Sequence, residues 1–188
     1  MKRCQKSPEP ITLATYRNAR PDATWDEMRD DPFDSGQQAY HDIKDTLVKG
    51  QRCLCAFCEI SIAAGTDDES IHEKNHMQRV EHFHPKKDQN GAENWTLKWA
   101  NVWAVCLGGS RKPPAGMPPD PRDYLPPLPE NLSCDAFKDY QIKIGKLSEN
   151  PEGWVLAPDE VPAFPPLFQF APGGIPEPHV RNCATATL

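Results

Sequence analysis

The spacing of the cysteines constrains this chain more than any other feature of its sequence. Cys55 and Cys58 are separated by two residues, a spacing at which two thiolates bind one zinc ion from a single turn. Two sulfurs fill half of a tetrahedral site, and the candidates for the other half are Cys106 and Cys134. The pattern therefore predicts a four-cysteine zinc knuckle.

Other interpretations of these cysteines stay open at this point. Cys106 alone could be a small buried apolar residue at the end of an apolar segment. Cys55 and Cys58 could form a redox dithiol, although no βαβ pattern surrounds them, as a thioredoxin-like motif requires. Cys53 could replace Cys55 as a metal ligand.

The cellular compartment bears on the state of all seven cysteines. The 188 residues include no apolar run approaching the roughly 18 that a membrane-spanning helix needs, and no apolar signal segment follows the basic N-terminus. We therefore expect a cytoplasmic protein with no membrane partner. Cytosolic thiols stay reduced, which favours metal ligation over disulfides and leaves the terminal Cys4 and Cys183 as free thiols.

Charge is distributed unevenly along the chain. The formal net charge of −6 argues against a protein that binds nucleic acid over its whole surface. Residues 76–112 nevertheless carry a net charge of +3, between residues 21–75 with −8 and residues 113–188 with −5. Because His82 and His84 lie in the basic segment, the sequence predicts a local basic site on an acidic body.

The prolines predict little regular structure at either end of the chain. Pro8, Pro10 and Pro21 predict an extended N-terminal arm over residues 1–34. Sixteen of the 21 prolines lie between positions 113 and 178, so we expect residues 145–188 to form an irregular wrap or tail. Five large apolar side chains in this region are expected to cover the core: Trp154, Leu156, Phe164, Leu167 and Phe168.

The middle of the chain carries the signals for regular elements, and together they predict an α+β fold. Apolar residues that recur every three or four positions predict a helix over residues 35–49. Residues 51–62 suit a tight hairpin around the cysteine pair, and residues 79–84 alternate like a short strand. Residues 94–106 are predicted to form a second helix, which would put Trp95, Trp99 and Trp103 on one buried face. A further helix or strand is expected over residues 134–144.

A second chemical signal is the adjacent pair Glu81 and His82 in the short strand. Neighbouring side chains of a strand point to opposite faces, so the pair by itself is more typical of a solvated strand edge. A bend would let both side chains act on one site. Its position between the two halves of the predicted zinc knuckle favours a functional role, and Asn101 and Asp135 follow as further polar candidates.

Several stretches match one family in combination: Pro-Glu-Pro-x-x-Leu-x-x-Tyr-Arg (8–17), Cys-Ala-Phe-Cys-Glu (55–59), Val-Glu-His-Phe-x-Pro (80–85), Trp-Ala-Asn-Val-Trp-Ala-Val-Cys-x-Gly-Gly (99–109) and Cys-Asp-x-x-Lys (134–138). With these motifs the chain resembles the HNH endonucleases. Within that family it is most similar to PtuB, the nuclease subunit of Septu anti-phage systems and of related retron-associated systems. The resemblance covers residues 8–138, about two-thirds of the chain.

The resemblance implies a fold and a set of roles. It implies an HNH ββα-metal core within residues 35–144, with the four-cysteine knuckle holding a structural zinc. His82 would be the general base that deprotonates water, and Asn101 would orient the loop around it. Glu81 and Asp135 would hold a catalytic divalent ion. The family usually has histidine where Asp135 stands, and a carboxylate there favours Mg²⁺ or Mn²⁺.

The resemblance also implies partners. Nucleic acid would be the substrate, with DNA favoured, and four side chains could contact its phosphates: His84, Lys86, Lys87 and Lys138. A PtuA-like ATPase of the ABC/SMC type would be the protein partner, with a retron reverse transcriptase and its RNA–DNA as a further candidate. Two other functions stay open, a zinc-stabilised binding module without catalysis and a thiol redox protein.

Overall fold

The structure is a computed structural model that describes residues 3–31, 33, 35–62, 78–86, 94–109, 129–162, 168–173 and 176–178. Its helices are α1 (Ile11–Ala19), α2 (Trp25–Arg29), α3 (Ser35–Gly50) and α4 (Cys134–Lys143). Its strands are β1 (Gln78–His82), β2 (Val102–Cys106), β3 (Phe168–Phe170) and β4 (Pro176–Pro178). Short 3-10 turns cover Trp95–Leu97, Trp99–Asn101 and Pro129–Asn131. Helices and small antiparallel sheets thus confirm the predicted α+β class.

Two antiparallel ladders form the sheets. Strand β1 pairs with β2, with Val80 opposite Ala104 and His82 opposite Val102, and β3 pairs with β4. Strand β2 is buried on both faces, since Trp103 and Val105 on one face are 0% exposed, and Val102 and Ala104 on the other are 1% and 2% exposed. Strand β2 therefore lies at the centre of the core. Its burial fixes the position of the paired strand β1 and of Cys106 at its end.

Helix α3 confirms the helix predicted over residues 35–49. Its buried residues include Gly36, Ala39, Ile43 and Leu47, which are separated by three or four positions, as expected for one face of a helix. The helix packs against α1, α2 and β2. At its start the Asp31 carboxylate accepts a hydrogen bond from the Gly36 N–H at 2.9 Å, a backbone group that the first turn leaves unpaired, and another from the Ser35 hydroxyl at 3.0 Å.

The prediction of an extended arm over residues 1–34 is wrong, because this segment contains α1 and α2 and contributes to the core. Leu13 and Tyr16 of α1 are buried, as are Trp25 and Met28 of α2. The prolines precede or follow these helices and interrupt neither, since Pro10 stands at the N-cap of α1. Helix α2 begins with a reciprocal Thr24–Glu27 capping box.

The predicted helix over residues 94–106 is also wrong. This segment forms two 3-10 turns and then strand β2. A strand buried on both faces has a continuous apolar sequence, which periodicity alone cannot distinguish from a buried helix. The three tryptophans therefore have different environments: Trp103 is fully buried, Trp99 is half-buried, and Trp95 stacks on His84 at 4.1 Å.

The predicted covering of the core by residues after Gly153 is wrong for two of its side chains. Trp154 is 70% exposed and Leu156 is 40% exposed. The residues that pack against the core from this segment are Val155, Ala157 and the buried Val161. Phe164, Leu167 and the side chain of Phe168 lie outside the described residues. None of the helices in the described part of the chain is both long enough and apolar enough to cross a membrane.

Candidate functional site

The cysteine pair lies in a tight hairpin, as predicted for residues 51–62. The Cys55 N–H donates to the Ile60 carbonyl at 2.9 Å, and Leu54 forms a bridge with Ser61. Glu59, directly after Cys58, has a φ of 59°, and this left-handed residue lets the chain reverse immediately after the second thiol. The hairpin therefore points both sulfurs to one side.

The side chain of Gln51, the residue directly after helix α3, fixes this hairpin region to the core. The Gln51 amide donates to the Ala104 carbonyl at 2.7 Å and accepts from the Ala104 N–H at 2.9 Å. The Ala56 N–H donates to the same carbonyl at 3.1 Å. The edge of β2 that does not pair with β1 is thus hydrogen-bonded at Ala104, two residues before Cys106 at the end of the strand.

Four thiols converge at this point: Cys55, Cys58, Cys106 and Cys134. We call this group the thiol cluster. Its sulfur–sulfur distances are 3.9 Å for Cys55–Cys134, 3.8 Å for Cys58–Cys106 and 3.7 Å for Cys106–Cys134. A tetrahedral zinc with bonds of about 2.3 Å requires sulfurs about 3.8 Å apart, whereas a disulfide requires about 2.05 Å.

The geometry of the thiol cluster fits a structural zinc. It also decides which of the cysteines considered in the sequence analysis belong to the site. Cys55 is part of the cluster and Cys53 is not, and Cys106 is a half-buried member of it. Contacts with the Cys106 and Cys55 sulfurs, together with burial, raise the pKa of the Cys134 thiol. Four crowded thiols cannot all ionise without a cation between them, and a zinc ion would supply that cation. Cys183 lies outside the described residues.

Two glycines bring the fourth cysteine to the cluster. A Cβ at Gly108 would lie 2.3 Å from the Ser133 carbonyl oxygen, and one at Gly109 would lie 2.1 Å from the Asn131 carbonyl oxygen. Only glycine allows the chain after β2 to approach the 131–133 segment this closely. The Ser133 N–H donates to the Gly108 carbonyl at 3.0 Å, which fixes the backbone next to Cys134.

Replacing Gly109 by alanine is expected to weaken zinc binding. Alanine at its φ of 77° would cost about 1–2 kcal/mol, and the clash with Asn131 would displace the segment that carries Cys134. Zinc content after purification and zinc affinity in competition with a chromophoric chelator measure the effect.

The chain offers a matched control at Gly145. This glycine has a similar φ of 72°, but an added Cβ there meets nothing within 4 Å. Gly145→Ala should carry the same backbone cost and keep full zinc content. Equal zinc affinity in the two variants would show that the close approach at Gly109 does not position Cys134.

A second group of potential ligands consists of carboxylates. Oxygens of Glu81, Asp135 and Asp139 lie within 4.8 Å of one another, and we call these three residues the acidic cluster. Glu81 and Asp135 are buried, whereas Asp139 is exposed. The structure thus brings together the two predicted ligands and adds a third, which the sequence analysis missed. The missed signal was the four-residue spacing of Asp135 and Asp139, which puts both on one face of α4.

Two cations of the chain contact the acidic cluster. The Lys138 ammonium forms an ion pair with Glu81, and the Arg79 guanidinium forms one with Asp135. Burial raises the pKa of Glu81 to about 7, with Lys138 opposing the shift. Burial also raises the pKa of Asp135, against the effect of Arg79. Each buried carboxylate would therefore bind a cation strongly.

The imidazole of His82 is held in one tautomer. Its Nε2 atom lies 2.9 Å from the Thr96 carbonyl oxygen, and because a carbonyl only accepts, Nε2 carries the proton. Nδ1 holds the lone pair, and this buried atom has no hydrogen-bond partner among the described residues. Burial lowers the pKa of His82 to about 4, so the ring is neutral at pH 7, as a general base must be.

His82 has an apolar neighbour on one side and a cleft on another. The Trp25 ring packs edge-on against the imidazole at a centroid distance of 4.6 Å. A cleft of about 300 Å³ also reaches His82, and its lining includes Pro85, Ile142 and three charged residues: Lys138, Asp139 and Glu149. His82 and Asp139, one member of the acidic cluster, therefore border the same cleft.

The side chain of Asn101 is buried and organises the chain after His82. Its amide oxygen accepts from the His84 N–H at 2.7 Å, and its amide nitrogen donates to the His84 carbonyl at 3.1 Å and the Trp95 carbonyl at 2.9 Å. The Phe83 N–H donates to the Asn101 carbonyl at 2.9 Å. These bonds attach the backbone of Phe83 and His84, directly after His82, to the two 3-10 turns that contain Trp95 and Asn101.

The four residues named as phosphate contacts lie in different environments. His84 stacks on Trp95 and lies 3.7 Å from the Glu152 carboxylate. Lys86 is exposed, and Lys87 lies outside the described residues. Lys138 is buried against Glu81. Of the described residues in this set, Lys86 is therefore the most accessible to a nucleic acid.

The chain is similar to a known protein. The chain is 34% identical over 172 residues to a protein of Escherichia coli described as "Retron Ec83 putative HNH endonuclease". The aligned region covers 90% of this chain and 58% of the relative, so the chain spans little more than half of the relative's length. No protein-family model matches the chain, and no solved structure matches it significantly.

Proposed function

We propose that this protein is a metal-dependent HNH endonuclease that hydrolyses phosphodiester bonds, with DNA as the favoured substrate. The observation that carries the proposal is the neutral imidazole of His82, whose buried Nδ1 has no hydrogen-bond partner among the described residues, in a residue that lines the same cleft as Asp139. The similarity to a retron-associated protein described as an HNH endonuclease supports the same family and activity.

The residues divide the chemistry between them. His82 would accept a proton from the attacking water at Nδ1, while the Thr96 carbonyl holds its other nitrogen protonated and stabilises the charged ring. Asn101 would act as a positioning residue, because its amide fixes the backbone at His84. The thiol cluster would hold a structural zinc. This ion would keep Cys134, at the N-terminal end of α4, next to Cys106, at the C-terminal end of β2.

Glu81, Asp135 and Asp139 would hold the catalytic divalent ion. Carboxylate oxygens are the ligands that Mg²⁺ and Mn²⁺ prefer. When bound, such an ion stabilises negative charge on the phosphate. The burial of Glu81 and Asp135 suits this role, because a carboxylate in a poorly hydrated site attracts a cation more strongly than one in water.

Loss of a carboxylate from the acidic cluster is expected to remove cleavage without affecting the zinc. Glu81→Gln should lower the cleavage rate of plasmid DNA in Mg²⁺ or Mn²⁺ by at least about a hundredfold, because the ion contributes several kcal/mol to the transition state. Glu130→Gln, at an exposed carboxylate in a 3-10 turn, is the matched control and should cut normally.

The same assay defines the substrate. Zinc-loaded protein is incubated with double-stranded DNA, single-stranded DNA or RNA, with and without the ATPase, at equal zinc content. Full activity of Glu81→Gln would contradict the proposed metal site. Binding of nucleic acid without cleavage under every condition would favour a zinc-stabilised binding module.

We further propose that the nuclease acts with an ABC/SMC-type ATPase of the PtuA class in an anti-phage defence complex, and that a retron reverse transcriptase with its RNA–DNA is a candidate further partner. The similarity to the Escherichia coli retron protein supports a retron context. The acidic segments, residues 21–75 and 113–188, would disfavour indiscriminate binding of the isolated subunit to nucleic acid. Co-migration with the ATPase on size exclusion is expected, and separate elution would contradict the complex.

A further inference from the structure

Lys138 is an unusual lysine because its ammonium is buried inside the acidic cluster. The side chains of Lys138 and Glu81 are only 10% and 11% exposed, and they form an ion pair. The ammonium also donates to the His82 carbonyl at 3.2 Å and, at a longer distance of 3.5 Å, to the Phe83 carbonyl. The three hydrogens of the ammonium can therefore each be donated to an oxygen: the Glu81 carboxylate, the His82 carbonyl and the Phe83 carbonyl just after β1.

The charges of the acidic cluster explain why a cation is needed there. Glu81, Asp135 and Asp139 contribute three negative charges when ionised, and Arg79 and Lys138 offset two of them. A buried carboxylate without a counter-charge is costly, so Lys138 stabilises the chain when no metal is bound. Its position against Glu81 is also the position where a divalent ion would meet that carboxylate.

We propose that Lys138 is the resident cation of the acidic cluster, and that a divalent ion must displace its ammonium from Glu81 in order to bind. Two cations cannot share one buried carboxylate without strong repulsion, so lysine and metal compete. The inference rests on the proposed function, because the ion in question is the proposed catalytic one. It assigns Lys138 a different role from that of a simple phosphate contact.

The cleft provides a destination for the displaced side chain. Lys138 already lines it, beside His82 and Asp139. The cleft is otherwise acidic, since Glu149 lines it as well, and an acidic cleft repels a phosphodiester. Once released, the ammonium lies where it can contact a phosphate. Metal binding therefore makes the cleft attractive to substrate in two ways, through the ion itself and through the freed lysine.

The first experiment observes Lys138 directly in the unaltered protein. The zinc-loaded chain is titrated with Mg²⁺ while the lysine ammonium signals are recorded by NMR, and Lys138→Arg identifies the signal of interest. We expect a slowly exchanging, hydrogen-bonded ammonium signal without Mg²⁺ that shifts or disappears as Mg²⁺ saturates the protein. An unchanged signal at millimolar Mg²⁺ would overturn the proposal.

The second experiment measures the competition by calorimetry. Lys138→Met keeps the length of the side chain without its charge and should bind Mn²⁺ about tenfold more tightly than the wild type, or tighter still. Lys143→Met, at an exposed lysine near the end of the same helix, is the control and should bind Mn²⁺ like the wild type. Unchanged or weaker binding by a folded Lys138→Met protein would overturn the proposal.

The two proposals fail in distinguishable ways. If Mg²⁺ displaces Lys138 but no nucleic acid is cut, the competition stands and the nuclease assignment fails. If the protein cuts DNA while the Lys138 signal ignores Mg²⁺, the nuclease assignment stands and the competition fails.

Discussion

His82→Gln should lower the rate of phosphodiester cleavage by about 10²- to 10⁴-fold, the usual contribution of a general base. Glutamine is chosen because its amide can still donate to the Thr96 carbonyl, as the Nε2–H of His82 does now, while it offers no basic nitrogen. It also leaves a smaller void beside Trp25 than alanine would. Single-turnover cleavage of DNA in the presence of Mn²⁺ measures the effect.

The matched control for this variant is His41→Gln, which changes an exposed histidine on α3. It should retain full activity, and both variants should keep one zinc per chain and an unchanged circular dichroism spectrum. If folded His82→Gln protein cuts DNA as fast as the wild type, His82 is not the base. The imidazole would then be a core residue packed on Trp25, and the binding-module function would gain support.

Loss of the zinc site is expected to have the largest effect on stability. Structural zinc in small domains contributes roughly 10–16 kcal/mol, comparable to the entire stability of a typical domain. Cys106→Ser removes one ligand at the end of β2 and should release the zinc, weaken the contact between β2 and α4, and lower the midpoint of thermal unfolding substantially. Zinc content by elemental analysis and thermal melts provide the measurement.

Cys53→Ser is the control for this prediction, since Cys53 lies in the same hairpin but outside the thiol cluster. It should keep one zinc and a near-normal melting temperature. Equal zinc content in Cys53→Ser and Cys106→Ser would contradict the assigned ligand set. Reversible formation of a disulfide between Cys55 and Cys58 in zinc-free, folded protein would instead support the redox function.

The part of the fold that the sequence predicted well depends on local patterns. Helix α3 has a clear three- and four-residue periodicity, and the hairpin around Cys55 has β-forming residues and a metal-ligand spacing. Both patterns lie within about 16 residues of chain. Strand β2 was mistaken for a helix because burial on both faces removes the alternation that identifies a strand.

The candidate site divides in the same way. Residue type and spacing predicted the four thiols that converge in the structure, whereas the roles of Glu81 and His82 came only from the resemblance to HNH endonucleases and stay predictions. The sequence did not supply Asp139, which the structure adds to the acidic cluster. The sequence analysis also named Lys138 only as a phosphate contact, whereas the structure buries its ammonium against Glu81.

What the sequence determined by itself is which chemical groups are available: sulfur atoms suited to a soft ion, carboxylate oxygens suited to a hard one, and an imidazole next to one of those carboxylates in the chain. Only the tertiary structure decided the state of each group. The tautomer of His82 depends on the Thr96 carbonyl 14 positions away, and the counter-charge of Glu81 depends on Lys138 57 positions away. Such contacts leave no local pattern, because they arise only when the chain folds and buries charges that must then find partners.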